Sequence, residues 1–333
     1  MRKQTLSLAA IATGAALALS ACGGVQNTAG GGSDSGEYPT GAVEMPVGAS
    51  AGGSSDLISR QVSAGLAEEL GGSFPVINRE GANGALAAAE VADAEPDGSV
   101  ISVQNASLFA ITPLAVGEDE VTSIDDFDVV MGVSRDDYVL VASTGSGFES
   151  VDDFADADGN VTYGTTGVGT GAQLACALTF NVNDTPAEAI PFDGGAPALT
   201  ALLGNQVDTA CLQVGEAIEN IEAGKIVPIT VFGPERVEFL PDVPTAQEQG
   251  LDVEVAQYRF MTVPKGTPQD VQDAIAEAMQ ATFETEEYQA FNEQNNLTPM
   301  EIPGDEVVAQ LEEDTQRYAD LVEEYGIDLG SAS

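Results

Sequence analysis

Short apolar runs alternate with longer stretches of helical periodicity along most of the chain. Strand-like runs fall at residues 43–47, 74–77, 100–103, 129–133, 138–142, 161–163, 189–192, 209–214 and 227–231. Between them, residues 84–94, 171–180, 196–203 and 215–223 carry apolar positions three and four apart, as a helix with one buried face requires. Leu57, Ile58, Val62 and Leu66 repeat that spacing just after Ser54, Ser55 and Asp56, residue types that accept hydrogen bonds at a helix start. From Pro268 to Tyr325 the pattern is almost wholly helical, with Val271, Ile275, Ala278 and Met279 on one face and acids outside. Alternation of this kind predicts an α/β fold in two halves, with mainly parallel sheets.

The first 21 residues follow a different pattern. Arg2 and Lys3 precede an Ala-rich apolar run over 6–21, too short for a stable membrane span and of the form of a secretory signal. Leu19-Ser20-Ala21-Cys22 resembles the lipobox of bacterial lipoproteins, which makes Cys22 the expected lipidated terminus of an exported protein held at the outer face of the cytoplasmic membrane. Residues 22–37, rich in Gly, Ser, Asn and Thr, read as a flexible tether.

Charge and composition narrow the chemistry. Ten Lys and Arg stand against 54 Asp and Glu, a net −44; loss of residues 1–21 removes Arg2 and Lys3 and no acid, leaving −46. Such a surface disfavours nucleic acid and anionic lipid. The absence of histidine excludes Ser-His-Asp and Cys-His devices and histidine-ligated zinc. Asp156, Asp158 and Gly159 look like part of a calcium loop, but that register puts Phe154 first and Thr165 last, where carboxylates are needed. No cofactor or metal is expected. Cys176 and Cys211 are either a disulfide pair or two buried thiols.

Three glycine-rich segments each lie between a strand and a helix: 48–55, 163–171 and 190–197. Unpaired N–H groups and the dipole at a helix start attract anions. The second segment has no Lys after its glycines, so nucleoside triphosphate is disfavoured. In the third, Gly194 and Gly195 precede a helix beginning near Pro197. Three such starts suit a small polyanion held in a cleft.

The order of GGSSD (52–56), NREGANG (78–84), PDG (96–98), GVGTGAQL (167–174), FDGGAPALTALLGNQVD (192–208), LPDVPTAQEQGL (240–251) and VPKGTP (263–268) resembles the substrate-binding proteins of tripartite tricarboxylate transporters, the TctC or Bug family, over about residues 38–330. The resemblance implies a two-lobed, periplasmic-binding-protein-like (Venus flytrap) fold with two βα sheets and a ligand cleft. Lobe 1 would comprise 38–139 plus 260–330, and lobe 2 would comprise 140–259. It implies a monomeric solute receptor, not an enzyme, that binds a small carboxylate, a di- or tricarboxylate such as citrate, and passes it to a membrane permease. A receptor for an amino acid or an aromatic carboxylate is the alternative, with an exported enzyme using a carboxylate or Cys211 as the rival from another class.

The family grips carboxylates with backbone amides, hydroxyls and water rather than an arginine salt bridge. Carried over by position, Ala51, Gly52, Gly53, Ser54 and Asp56 form the first loop, with Asp56 capping the helix or holding water. Asn105, Ala106 and Ser107 follow the strand at 100–103. Thr166, Gly167, Gly169, Thr170 and Gly171 form the first loop of lobe 2, and Phe192, Gly194, Gly195 and Ala196 its second. Gln213 is a further candidate. The chain departs from many members at Val47-Gly48, where an aromatic is common, at Gln173-Leu174, where His-Leu is common, and near Tyr258-Arg259, where Trp is common. Arg135, Arg236 and Arg259 are each placed to neutralise an additional carboxylate or to form a structural ion pair.

Overall fold

The structure, a computed structural model, describes residues 38–117, 120–157 and 159–330. The expected signal peptide, Cys22 and the tether lie outside these, as do Asp158 and the end of the chain. The chain begins with β1 (Met45–Val47), α1 (Ser54–Glu69), β2 (Val76–Asn78), α2 (Ala85–Ala92), β3 (Ser102–Asn105), α3 (Ala106–Ala110) and β4 (Phe127–Arg135). It passes through Asp136 and Asp137 into β5 (Tyr138–Ser143), β6 (Val161–Thr165), α4 (Gly171–Val182), β7 (Ala187–Pro191), α5 (Gly195–Leu203), β8 (Thr209–Gln213), α6 (Val214–Glu222) and β9 (Ile226–Val231). After a long return segment come β10 (Tyr258–Pro264), α7 (Gln269–Phe283), α8 (Glu286–Asn295), β11 (Thr298–Pro299) and α9 (Gly304–Tyr325).

One lobe is built on the four-stranded sheet β11-β4-β10-β3, beside the parallel pair β1-β2. The other is built on the five-stranded sheet β7-β6-β8-β5-β9. The expectation of mainly parallel sheets is corrected. β10 runs antiparallel to β3 and β4, and β5 antiparallel to β8 and β9, while β1–β2, β6–β7 and β6–β8 are parallel. A parallel neighbour needs a crossover helix within the same sheet. β5 and β10 are instead entered from the other lobe, so no such helix fixes their direction. β10 is absent from the strand-like runs read from the sequence because every residue of YRFMTVP is buried, so no alternation marks it as a strand.

Burial on both faces explains why β5 is apolar throughout. Val139 and Val141 pack with Leu212 and Val231 beneath Ala198 and Leu202 of α5 and Ala217 of α6. Leu140 and Ala142 point the other way, toward Leu174 and Leu178 of α4 and Cys211 of β8. A disulfide between Cys176 and Cys211, with Cα atoms 5.9 Å apart, fastens α4 to that sheet. The same core continues through Phe109, Phe127 and Phe260, so the two sheets share one apolar mass on this side. On the far side of the four-stranded sheet, Ile58, Val62 and Leu66 of α1 meet Ile275 and Met279 of α7.

α9 holds the return segment in place. The Ala256 amide donates to the Tyr318 hydroxyl at 3.0 Å, the Tyr258 hydroxyl donates to Asp314 at 3.1 Å, and Arg317 bridges Asp314 and Glu254. The helix can start against β4 only because residue 304 is glycine; a Cβ there would collide with the Val129 carbonyl. The strand crossing and the return segment also meet directly, with the Asp136 amide donating to the Gln257 carbonyl at 2.8 Å.

Candidate ligand-binding site

The glycine-rich loops converge from both lobes on one cleft of two adjoining chambers, of about 610 and 490 Å3. The chambers share Ser50, Gly53, Ser54, Asp193, Gly194, Gln213 and Glu216. The larger is polar, with Asn105, Tyr138, Thr166, Thr170, Gln257 and Arg259 in its walls. The smaller adds the apolar side chains Leu57, Leu199 and Phe291. Gly52 (φ 85°) and Gly194 (φ 101°) turn the two facing loops through left-handed backbone that side chains rarely adopt, which accounts for glycine at both positions.

Twelve of the eighteen expected residues line this cleft: Ala51, Gly52, Gly53 and Ser54 from the first loop, Asn105, then Thr166, Gly167 and Thr170, then Phe192, Gly194 and Ala196, and Gln213. The other six stand behind it. Asp56 is buried and accepts hydrogen bonds from the Gly52 amide (2.8 Å), Asn78 Nδ2 (2.9 Å) and Arg60 Nε (3.0 Å), so it shapes the first loop from beneath. Although burial opposes its charge, these donors hold its carboxyl below the usual range. Ser107 hydrogen-bonds Asn105 and Gln257, beside the buried Ala106. Gly169 docks one lobe on the other: its carbonyl accepts from Thr112 Oγ1 at 3.0 Å and Asn83 Nδ2 at 3.3 Å. Gly171 lies against the Tyr138 ring, and Gly195 against the Glu216 carboxylate.

Reliance on glycine amides needs correction. Of the seven candidate glycines, four already spend their N–H within the chain: Gly52 on Asp56, Gly53 on the Ser50 carbonyl, Gly169 on Gln173 Oε1, and Gly194 on the Phe192 and Thr166 carbonyls. A tight turn satisfies its own donors first, and sequence alone cannot separate such a turn from an open one. What remains includes the first amides of the helices, those of Ser54 and Ser55 in α1, Gly171 in α4 and Gly195 in α5, which have no carbonyl one turn earlier, and the side chains around them.

The distinctive group is Arg259. It is 3% exposed; its Nε donates to Ser55 Oγ at 2.8 Å, its Nη2 lies 3.7 Å from Asp136 Oδ2, and its Nη1 has no partner. Asp136, 2% exposed, also accepts from Ser54 Oγ at 2.7 Å. Burial pushes the Asp136 carboxyl up, opposed by the Arg259 charge. Glu216, lining both chambers, is pushed up to about 7, first by burial and then by the Asp136 charge, and its Oε2 is unpartnered. Among the described residues lining the cleft, Arg259 is the one cation. The other two arginines considered from sequence are committed elsewhere, Arg135 to Asp137 and Arg236 to Glu248, both at 2.7 Å.

Sequence reasoning missed Tyr138, Gln257, Asp136 and Glu216. In a chain with 54 acids, nothing local distinguishes a buried carboxylate from a solvated one. The available signal for Asp136 was its place, with Asp137, between the two apolar strands FDVVMGVSR and YVLVAS. Among the described residues, no group of three or more Cys, Asp or Glu is arranged to hold a metal ion.

Comparison with known proteins gives a consistent picture. A family model described as tripartite tricarboxylate transporter family receptor matches residues 58–327. The chain is similar to the UPF0065 protein in the TAR-I ttuE-ttuC' intergenic region of Agrobacterium vitis, 31% identical over 74% of this chain and 72% of that protein. In structure it resembles the periplasmic binding protein BugD, with a TM-score of 0.77 and 26% identity over 87% of this chain and 99% of that one. It also resembles MatC of Rhodopseudomonas palustris, solved with malate bound, with a TM-score of 0.76 and 26% identity over 86% of this chain and all of that one (100%).

Proposed function

The chain belongs to the tripartite tricarboxylate transporter receptor family, and on that premise we propose that it is an extracytoplasmic receptor, rather than an enzyme, that closes on a small carboxylate and delivers it to a membrane permease. The observation that carries this reading is Arg259, the one cation among the described residues lining a cleft walled by hydroxyls and the start of α1, whose buried Nη1 has no hydrogen-bond partner. Asp136 offsets the Arg259 charge, but a buried donor left unpaired is costly, and a ligand carboxylate reached on closure would complete it. The malate bound to the similar MatC supports the class. Di- and tricarboxylates such as citrate are the ligands that the family's name suggests.

The same reading places the lobes at 38–139 plus 260–330 and at 140–259, with the protein a monomer. Its tether, 22–37, would be anchored through a lipidated Cys22 after removal of residues 1–21, keeping the receptor beside its permease. Long-range electrostatics do not assist capture, because a chain of net −44 repels an anion; affinity arises at short range, where closure excludes water. A thermal-shift screen of di- and tricarboxylates, aromatic acids and amino acids tests the reading. A ligand at 100 times its dissociation constant should stabilise the folded state by about 2.7 kcal/mol. No shift with any carboxylate would overturn it.

A further inference from the structure

We propose that Gln173 is a positioning residue for ligand capture: it holds Gly169 in the orientation that docks lobe 2 on lobe 1, and takes its own bearing from the Leu329 carbonyl beyond α9. The inference rests on the reading of the chain as a receptor that closes on its ligand, and names a residue on which that closure depends.

Gln173 is 3% exposed in the first turn of α4 and lines neither chamber, so it acts through its neighbours and not by touching a ligand. Both ends of its amide are used. Its Oε1 accepts from the Gly169 amide at 2.7 Å, and its Nε2 donates to the Leu329 carbonyl at 3.1 Å. These bonds fix which way the amide points, because exchanging O and N would set donor against donor and acceptor against acceptor.

Gly169 thus carries Gln173 on its N–H and lobe 1 on its carbonyl, which accepts from Thr112 Oγ1 and Asn83 Nδ2. Its backbone is left-handed (φ 68°), and a Cβ would lie 3.1 Å from Ala115 Cβ and 3.2 Å from Thr112 Cα. The adjoining Gly167, Val168 and Thr170 line the larger chamber, so a tilt of Gly169 also moves the ligand wall. Leu329 is a fixed point: it is 1% exposed, and a Cβ on Gly330 would lie 2.8 Å from the Ala115 carbonyl. The lobe 1 turn at 112–115 therefore receives both Gly169 and Gly330, and Gln173 ties the two together. Loss of its amide strands a donor and an acceptor, which undocking of the loop relieves. Apparent affinity falls with the fraction of chains whose lobes are docked.

Hydrogen exchange read by mass spectrometry compares the wild-type protein with Gln173→Met, which keeps the side-chain length and removes both hydrogen bonds, and with Thr112→Val, which removes a lobe 1 donor. The Leu114, Ala115 and Val116 amides, bonded within their own turn, report on lobe 1, and the Gly169 amide reports on lobe 2. Amides of β5 serve as the reference for global opening. Relative to β5, the inference expects Gln173→Met to speed exchange about tenfold or more at residues 114–116, which Gln173 does not hydrogen-bond, and Thr112→Val to speed it likewise at Gly169. Unchanged exchange at 114–116 in Gln173→Met, with any effect confined to 166–174 and 327–330, would overturn the inference. If that variant folds poorly, unchanged exchange of Gly169 in Thr112→Val overturns it instead. No ligand is added, so failure here leaves the carboxylate reading standing, and failure of that reading leaves this result intact.

Discussion

Replacing Glu216 by glutamine should stabilise the ligand-free protein at neutral and alkaline pH and leave it nearly unchanged in mild acid. The Glu216 carboxyl is raised from the usual 4.5 to about 7 in the fold. Between those values the folded chain keeps a proton that the unfolded chain has released, so stability falls as pH rises through that window. At about 1.4 kcal/mol per pH unit, the upper bound is about 3 kcal/mol above pH 7. Glu216 is not fully buried and gains some relief from water, so a difference of about 1–3 kcal/mol is expected at pH 8. Asp136 and Asp137 are raised by burial as well and remain in the variant, so a reduced slope should persist. Urea denaturation of both proteins from pH 4.5 to 8.5 reads the effect as a growing separation of midpoints. Parallel profiles, or a variant less stable at pH 8, would show that Glu216 is not held as an unpartnered buried acid.

Three further outcomes follow from the packing. Reduction or removal of the Cys176–Cys211 bridge, which closes a 35-residue separation, should lower stability by about 4 kcal/mol on loop entropy; two free thiols in denatured, unreduced protein would remove the bridge itself. Gly304→Ala drives a methyl into the Val129 carbonyl and should lower stability by about 1–3 kcal/mol in the same denaturation assay. Asp56→Ala strands the Gly52 amide and Asn78, for about 2–4 kcal/mol. It should also weaken ligand binding by titration calorimetry through the loosened loop. Because the Asp56 carboxyl lies below its usual 3.8, its contribution is present above that pH and is lost in stronger acid.

The positions of the cleft loops were legible because their causes are local. Ser54, Ser55 and Asp56 and the glycines at 194 and 195 mark helix starts by residue type, and twelve residues carried over by position from the family resemblance do meet in one cleft. The chemistry of the cleft was less legible because its causes are distant. Gly52 lacks a free amide because Asp56 lies beneath it, and Glu216 Oε2 lies against Gly195 because α5 and α6 pack together. Strand β10 escaped notice for a related reason, since antiparallel neighbours on both sides bury every residue and erase the period-2 pattern.

The central claim is that a carboxylate is held in this cleft by Arg259. Titration calorimetry of wild type and Arg259→Gln, with the ligand found by thermal shift and with melting curves to confirm folding, tests it most directly. A charge-assisted hydrogen bond worth about 1.5–3 kcal/mol corresponds to a loss of about 10- to 150-fold in affinity, and the account predicts a loss in that range. A folded variant that binds the same carboxylate with undiminished affinity would contradict it.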